Sequence, residues 1–161
     1  MIALAAEIAD GLVFANGCLS HMGQSLVVLP AAKRDDPSFF IGNRIRTCIS
    51  DDAAEARAVV RRTMAGYALM PNYRNYWKEA GYIEEMTAIE NAMTKSRIDD
   101  LPSYLPDRLL ADCTLFGSAG KIRDGVEKWR AAGIRTPVLV PLSADGESKT
   151  AIREVFAAFA D

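Results

Sequence analysis

Arg44-Ile45-Arg46-Thr47-Cys48-Ile49-Ser50-Asp51-Asp52-Ala53-Ala54-Glu55 carries the reading of the fold. Its first half is short, places β-branched residues on one face and runs into a polar turn, which is the pattern of a strand. Its second half opens a helix, because Asp52 and Glu55 stand at capping-box spacing, where each side chain can satisfy an orphan backbone N–H. Beyond it Val60, Met64 and Tyr67 fall at steps of four and three, one stripe of an amphipathic helix. A strand passing directly into a capped helix is the unit of a parallel α/β protein.

The same unit recurs on either side. Gly11-Leu12-Val13-Phe14-Ala15 reads as a strand entered from a short helix around Ile2 to Ala9. Ser20 then caps a segment carrying Met22, Leu26 and Leu29 that Pro30 ends. Thr136-Pro137-Val138-Leu139-Val140-Pro141-Leu142 reads as a third strand, bracketed by its prolines. Before it, Ser118 caps a helix bearing Ile122, Val126 and Trp129, with Gly133 as a left-handed stop. A last helix repeats the code with Ile152, Val155, Phe156 and Phe159, and all these stripes are expected to be core. Residues 51–115 predict a mostly helical insertion within a single domain spanning 1–161, with Tyr82 to Met86 opening one helix and Pro102 and Pro106 breaking the next stretch.

Composition narrows the function. Nineteen basic against twenty-one acidic residues leave a net charge of −2, so there is no basic field for nucleic acid and no cationic face for a membrane. No apolar run reaches the roughly 18 to 20 residues of a membrane span. Glu7 and Asp10 break the apolar N-terminus, which therefore does not read as a secretion signal. Cys18, Cys48 and Cys113 are odd in number and distant in sequence, so buried free thiols in a reducing cytoplasm are expected. With one histidine and no ligand pair at zinc spacing, no metal site is predicted. No nucleophile elbow is present, and Gly117-Ser118-Ala119-Gly120-Lys121 departs from a phosphate loop in spacing and in the residue after the lysine.

Ala5-Ala6-Glu7-Ile8-Ala9-Asp10-Gly11-Leu12-Val13 resembles the segment entering the sixth strand of the luciferase-like monooxygenase family, the flavin- and F420-dependent oxidoreductases. Ile49 to Ala53 resembles the turn after their seventh strand. Met70-Pro71-Asn72-Tyr73-Arg74 is similar to a Leu-Pro-x-Tyr-Arg segment of the F420-type members. Phe116-Gly117-Ser118-Ala119 with Ala132-Gly133-Ile134 is similar to the pair of segments before strand eight. The resemblance implies an α/β fold of parallel strands, a partial (β/α)8 TIM barrel corresponding to strands six to eight. A closed barrel takes about 250 residues, so this chain is expected to be a C-terminal half-barrel, completed by a second copy or by a partner chain. The implied activity is hydride transfer between a reduced cofactor, FMN or F420, and a small organic substrate. A non-catalytic half-barrel module for structure or oligomerisation is the alternative.

In such barrels the chemistry lies at the C-terminal ends of the strands. That rule selects Asn16, Gly17 and Ser20 as cofactor-binding candidates after the first strand. It selects His21 as the catalytic candidate, since imidazole exchanges protons near neutral pH. Gly117 and Ser118 offer free N–H groups at a helix start and could take a phosphate, although a helix cap accounts for Ser118 equally well. Tyr73, Arg74 and Trp77 are substrate-binding candidates, forming with Tyr76 either an aromatic and cationic wall or a packed helix contact. Arg44 and Arg46 share one strand face, which requires acidic partners, an anion or open solvent.

Overall fold

A computed structural model describes residues 1–160. Helix α1 (Ile2–Ile8) leads into strand β1 (Gly11–Ala15), and a 3-10 turn (Leu19–His21) leads into α2 (Met22–Val27) and α3 (Ala31–Arg34). Strand β2 (Phe40–Ile49) is followed by α4 (Ala53–Ala68), α5 (Pro71–Glu79), α6 (Ile83–Thr94), a 3-10 segment (Ile98–Tyr104) and α7 (Asp107–Cys113). Strand β3 (Thr114–Gly117), α8 (Ala119–Ala131), β4 (Thr136–Leu142) and α9 (Ser148–Phe159) complete the order.

All pairings are parallel and converge on β2. Residues 11–15 of β1 pair with 40–44 of β2, and 114–117 of β3 pair with 46–49. Strand β4 pairs with 42–48. Because β4 takes one edge of β2 along both stretches, β1 and β3 must lie end to end along the other. The chain therefore has to leave the sheet after Ala15 to make room for β3. It does so at Asn16, whose φ of 54° lies in the left-handed region that asparagine tolerates.

Four strands stand where three are expected. Strand β3 is only four residues long, follows α7 directly and is parted from α8 by Ser118 alone, so it carries no pattern of a separate element. Strand β2 also starts four residues earlier than predicted, because Gly42 and Asn43 have low strand propensity yet are paired on both sides. Gly11 is required by close approach, since a Cβ there would lie 2.4 Å from the Cβ of Phe40. Gly133 adopts a φ of +98°, the expected helix stop after α8.

Two cores result. One face of the sheet, with Ile41 and Ile45, packs on Met22 and Leu26 of α2 and on Ile122, Val126 and Trp129 of α8. The helices of 53–113 form the second core over the C-terminal ends of the strands, where Val60, Met64, Trp77, Met86, Ile89 and Leu109 meet Cys48. The opposite sheet face stays open. Phe40, Gly42, Arg44 and Arg46 alternate along it, flanked by Val13 on β1 and by Val138 and Val140 on β4. Val13 is 51% and Phe40 42% exposed.

The apolar stripe of α9 is not core, contrary to expectation. Ile152, Phe156 and Phe159 are exposed, Phe156 to 75%, and the helix instead buries the small Ala151 and Ala158. Periodicity marks an apolar face but not what covers it. The Ser20 cap is also corrected: α2 has no side-chain cap. The Ser20 hydroxyl and backbone N–H both donate to the Asp112 carboxylate, at 2.6 and 2.8 Å.

Candidate functional site

The departure of the chain at Asn16 opens a cavity of about 650 Å³ beside the C-terminal end of β1. Helix α1 lines it with Ile2 and Ala3, β1 with Phe14 and Ala15, and the following turn with Gly17 and His21. Helix α2 adds Gln24 and Ser25, with Val28 just beyond its end, and α5 adds Asn72, Tyr73, Asn75, Tyr76 and Glu79. Volume and lining, apolar and aromatic with a few convergent polar groups, match a small-molecule site. A second cavity, lined by Arg34, Arg130 and Arg135, lies at the other end of the strands. There the Arg135 guanidinium is spent on the carbonyl oxygens of Arg34, Asp36 and Phe39.

Local structure positions the walls. Pro71 sits in the first turn of α5, where its missing N–H costs nothing. The helix turns Tyr73 and Tyr76 to the cavity and Trp77 to the core. The Trp77 indole is fully buried, and its Nε1–H donates to the Asn16 carbonyl oxygen at 3.2 Å. The Cys18 backbone N–H donates to the Tyr76 hydroxyl at 3.1 Å. Burial pushes the Tyr76 phenol up to about 12, so it stays neutral. The His21 ring meets the Tyr76 ring edge-on at 5.6 Å, so the imidazole and the phenol hold one another's orientation. Gly17 is buried under them, its N–H donating to Asn43 Oδ1 at 3.4 Å.

The predicted residues thus divide. Gly17, His21 and Tyr73 line one cavity, with Asn16 buried beside them. Trp77 supports this cavity from behind. Arg74 is turned away: its Nη1 donates to the Ala68 carbonyl at 2.7 Å and its Nε to Glu90 at 3.2 Å, an arrangement that ties α4, α5 and α6 together. Ser20 is held by Asp112. Gly117 and Ser118 lie at the end of β3, away from the cavity, and Ser118 Oγ accepts from the Lys121 N–H as a helix cap. Tyr76, expected in the aromatic wall, lines the cavity, and Gln24, Asn72, Asn75 and Glu79 join it without a site signal in the sequence. Polar residues on an amphipathic helix read as its solvated face, and only the packing of α5 against the β1 turn encloses them.

Arg44 and Arg46 find no carboxylate among the described residues. Arg44 is exposed, and Arg46 lies over the Tyr67 ring and donates to its hydroxyl. The two cations, two residues apart on one face, stand on the open side of the sheet.

A family model for luciferase-like monooxygenases matches residues 1–136. No curated protein sequence matches the chain. The fold is similar to that of a coenzyme F420-dependent tetrahydromethanopterin reductase from Methanopyrus kandleri. The TM-score is 0.75 and the identity 16%, over 99% of this chain and 48% of that one. It is also similar to an F420-dependent secondary alcohol dehydrogenase in complex with an F420–acetone adduct, with a TM-score of 0.58 and 16% identity, over 99% of this chain and 46% of that one. The chain spans about half the length of these structures, and the shared part is an open piece of a TIM-barrel-like fold. By the family match over most of its length, the chain belongs to the luciferase-like monooxygenase family.

Proposed function

We propose that this chain supplies the C-terminal half of a flavin- or F420-dependent oxidoreductase, with the cavity beside β1 receiving a planar ring. The observation that carries this reading is the cavity itself. Phe14, Tyr73 and Tyr76 offer aromatic surface, while Gln24, Asn72 and Asn75 offer amides that can pair with a ring's polar edge. When bound, the reduced cofactor supplies the hydride, and the protein's part is orientation and exclusion of water. His21, braced by Tyr76, stands where it can hold or pass a proton at the cavity wall. No arginine or lysine is among the described lining residues. The cavity thus suits a neutral ring, and the open-face guanidiniums of Arg44 and Arg46 suit an anionic tail of FMN or F420.

The proposal includes a partner, either a second copy or a chain bearing further strands. Parallel sheets are normally covered on both faces. Here Val13 and Phe40 are exposed on one face, and the outer edges of β1 and β4 are unpaired among the described residues. Three buried free thiols favour a reducing compartment, the cytoplasm. Among the described residues no helix is long and apolar enough to cross a membrane.

The test is a fluorescence titration of the purified protein with FMN and with F420, with mass followed by light scattering in the same sample. The expected outcome is binding on the order of micromolar Kd, about −8 kcal/mol, by a species heavier than the 17.5 kDa chain. An assembled species that binds neither cofactor would overturn the enzyme reading in favour of a non-catalytic half-barrel module, which the open sheet edges favour.

A further inference from the structure

Cys18 and Cys113 stand 95 residues apart in the chain, and their sulfur atoms are 3.1 Å apart in the fold. The contact follows from the topology. Cys18 lies where the chain leaves the sheet after β1, and Cys113 is the last residue of α7, where the chain enters β3. Strands β1 and β3 lie end to end on β2, so the exit and the entry are forced together. Both side chains are fully buried, in the helical core that also holds Trp77, Tyr82 and Leu109. A separation of 3.1 Å is already well inside ordinary non-bonded contact and needs only a small approach to reach the roughly 2.05 Å of a bonded pair. Cys48, in the same core, has no sulfur partner among the described residues.

We propose that Cys18 and Cys113 form an oxidisable dithiol, closed to an intramolecular disulfide by a small-molecule disulfide as co-reactant. In the first step the Cys18 sulfur attacks the reagent, forming a mixed disulfide and releasing one thiol that carries away the Cys18 proton. In the second step the Cys113 sulfur attacks Cys18 Sγ, closing the bond and releasing the second thiol with the Cys113 proton. The two cysteines are oxidised by two electrons, and one reagent disulfide is reduced to two thiols. Cys18 is the point of entry, because it stands in the turn next to Gly17 of the cavity wall, whereas Cys113 closes helix α7. Burial holds the Cys113 thiol protonated, so the first step waits on opening of the turn and the second follows by proximity. A metal at the same place is disfavoured. Asp112, the third potential ligand, already accepts from the Ser20 N–H, the Ser20 hydroxyl and the Tyr82 hydroxyl.

The consequence falls on the cavity. The Cys18 N–H holds the Tyr76 hydroxyl and the Asn16 carbonyl holds Trp77, so the bond ties the cavity's floor to α7. The inference does not depend on which cofactor the cavity takes.

The experiment treats the native protein with cystamine, removes the reagent, alkylates in denaturant and counts free thiols by mass spectrometry with peptide mapping. The count is expected to fall from three to one, with the mass lower by two hydrogens, a linked peptide pair containing Cys18 and Cys113, and full recovery in dithiothreitol. In a Cys48→Ala variant the count falls to zero. Three surviving thiols, a retained cysteamine adduct, or a link through Cys48 or between chains would each overturn the proposal.

Discussion

Trp77 shows how one side chain serves the site without entering it. Its position four residues from Tyr73 marks it as a candidate for the same wall, but the helical turn carries it inward, where its single donor meets the Asn16 carbonyl at 3.2 Å. Replacing it by phenylalanine keeps most of the apolar volume and leaves that buried carbonyl unpaired. The expected cost is about 1–3 kcal/mol, read as a drop in urea midpoint. A midpoint equal to the native protein's would show that the bond holds nothing. Arg74 departs from expectation for a related reason. A buried guanidinium must be paired, and the Ala68 carbonyl and Glu90 lie closer to it than the cavity does.

At the scale of elements, helix α4 realises its capping signal with one change. Asp52 accepts from the Ala54 and Glu55 N–H groups, at 2.9 and 3.1 Å, as its spacing predicts. The return half of the box runs through Ser50, whose hydroxyl accepts from the Asp52 N–H and donates to Glu55. Asp52→Ala should therefore cost about 1 kcal/mol, and Asp52→Asn much less, since an amide oxygen still accepts. Denaturation of the two variants side by side checks this, and equal losses would contradict the cap. Strands β1 and β4 were legible to the residue because each is a short apolar run set off by turn residues or bracketing prolines. Strand β3 was not, because four residues between two helices carry too little pattern to stand out.

For the molecule as a whole, the helical core over the strand ends holds several weak acids away from water. Burial pushes the Cys48 thiol up to about 11 and the Tyr76 phenol up to about 12. It also raises Cys113, and Tyr82, where Asp112 adds repulsion. In the unfolded chain these groups ionise from 9.0 for cysteine and 10.0 for tyrosine. The unfolded state therefore loses protons first as pH rises. Their contribution is complete below about pH 9 and is lost through about pH 12. Urea midpoints measured across that window should fall steadily, and Tyr76→Phe should flatten the fall above about pH 10. A level profile would mean that these groups are solvated.

Local chemistry determined much of this protein. Strand and helix periodicity, the capping residues and the glycine stop after α8 act over a few residues, so the parallel α/β class, strands β1 and β4 and the starts of α4 and α8 could be read directly. The likeness of ordered short segments pointed to the family and to the strand ends as the place of the site. Tertiary structure alone decided the rest. That β1 and β3 share one edge of β2 depends on which strands are present to pair, and from it follow the turn at Asn16, the cavity beside β1 and the meeting of Cys18 with Cys113. The outward face of α9 and the open face of the sheet have the same origin. An apolar stripe states that a surface should be covered, but only the assembled neighbours determine whether anything covers it.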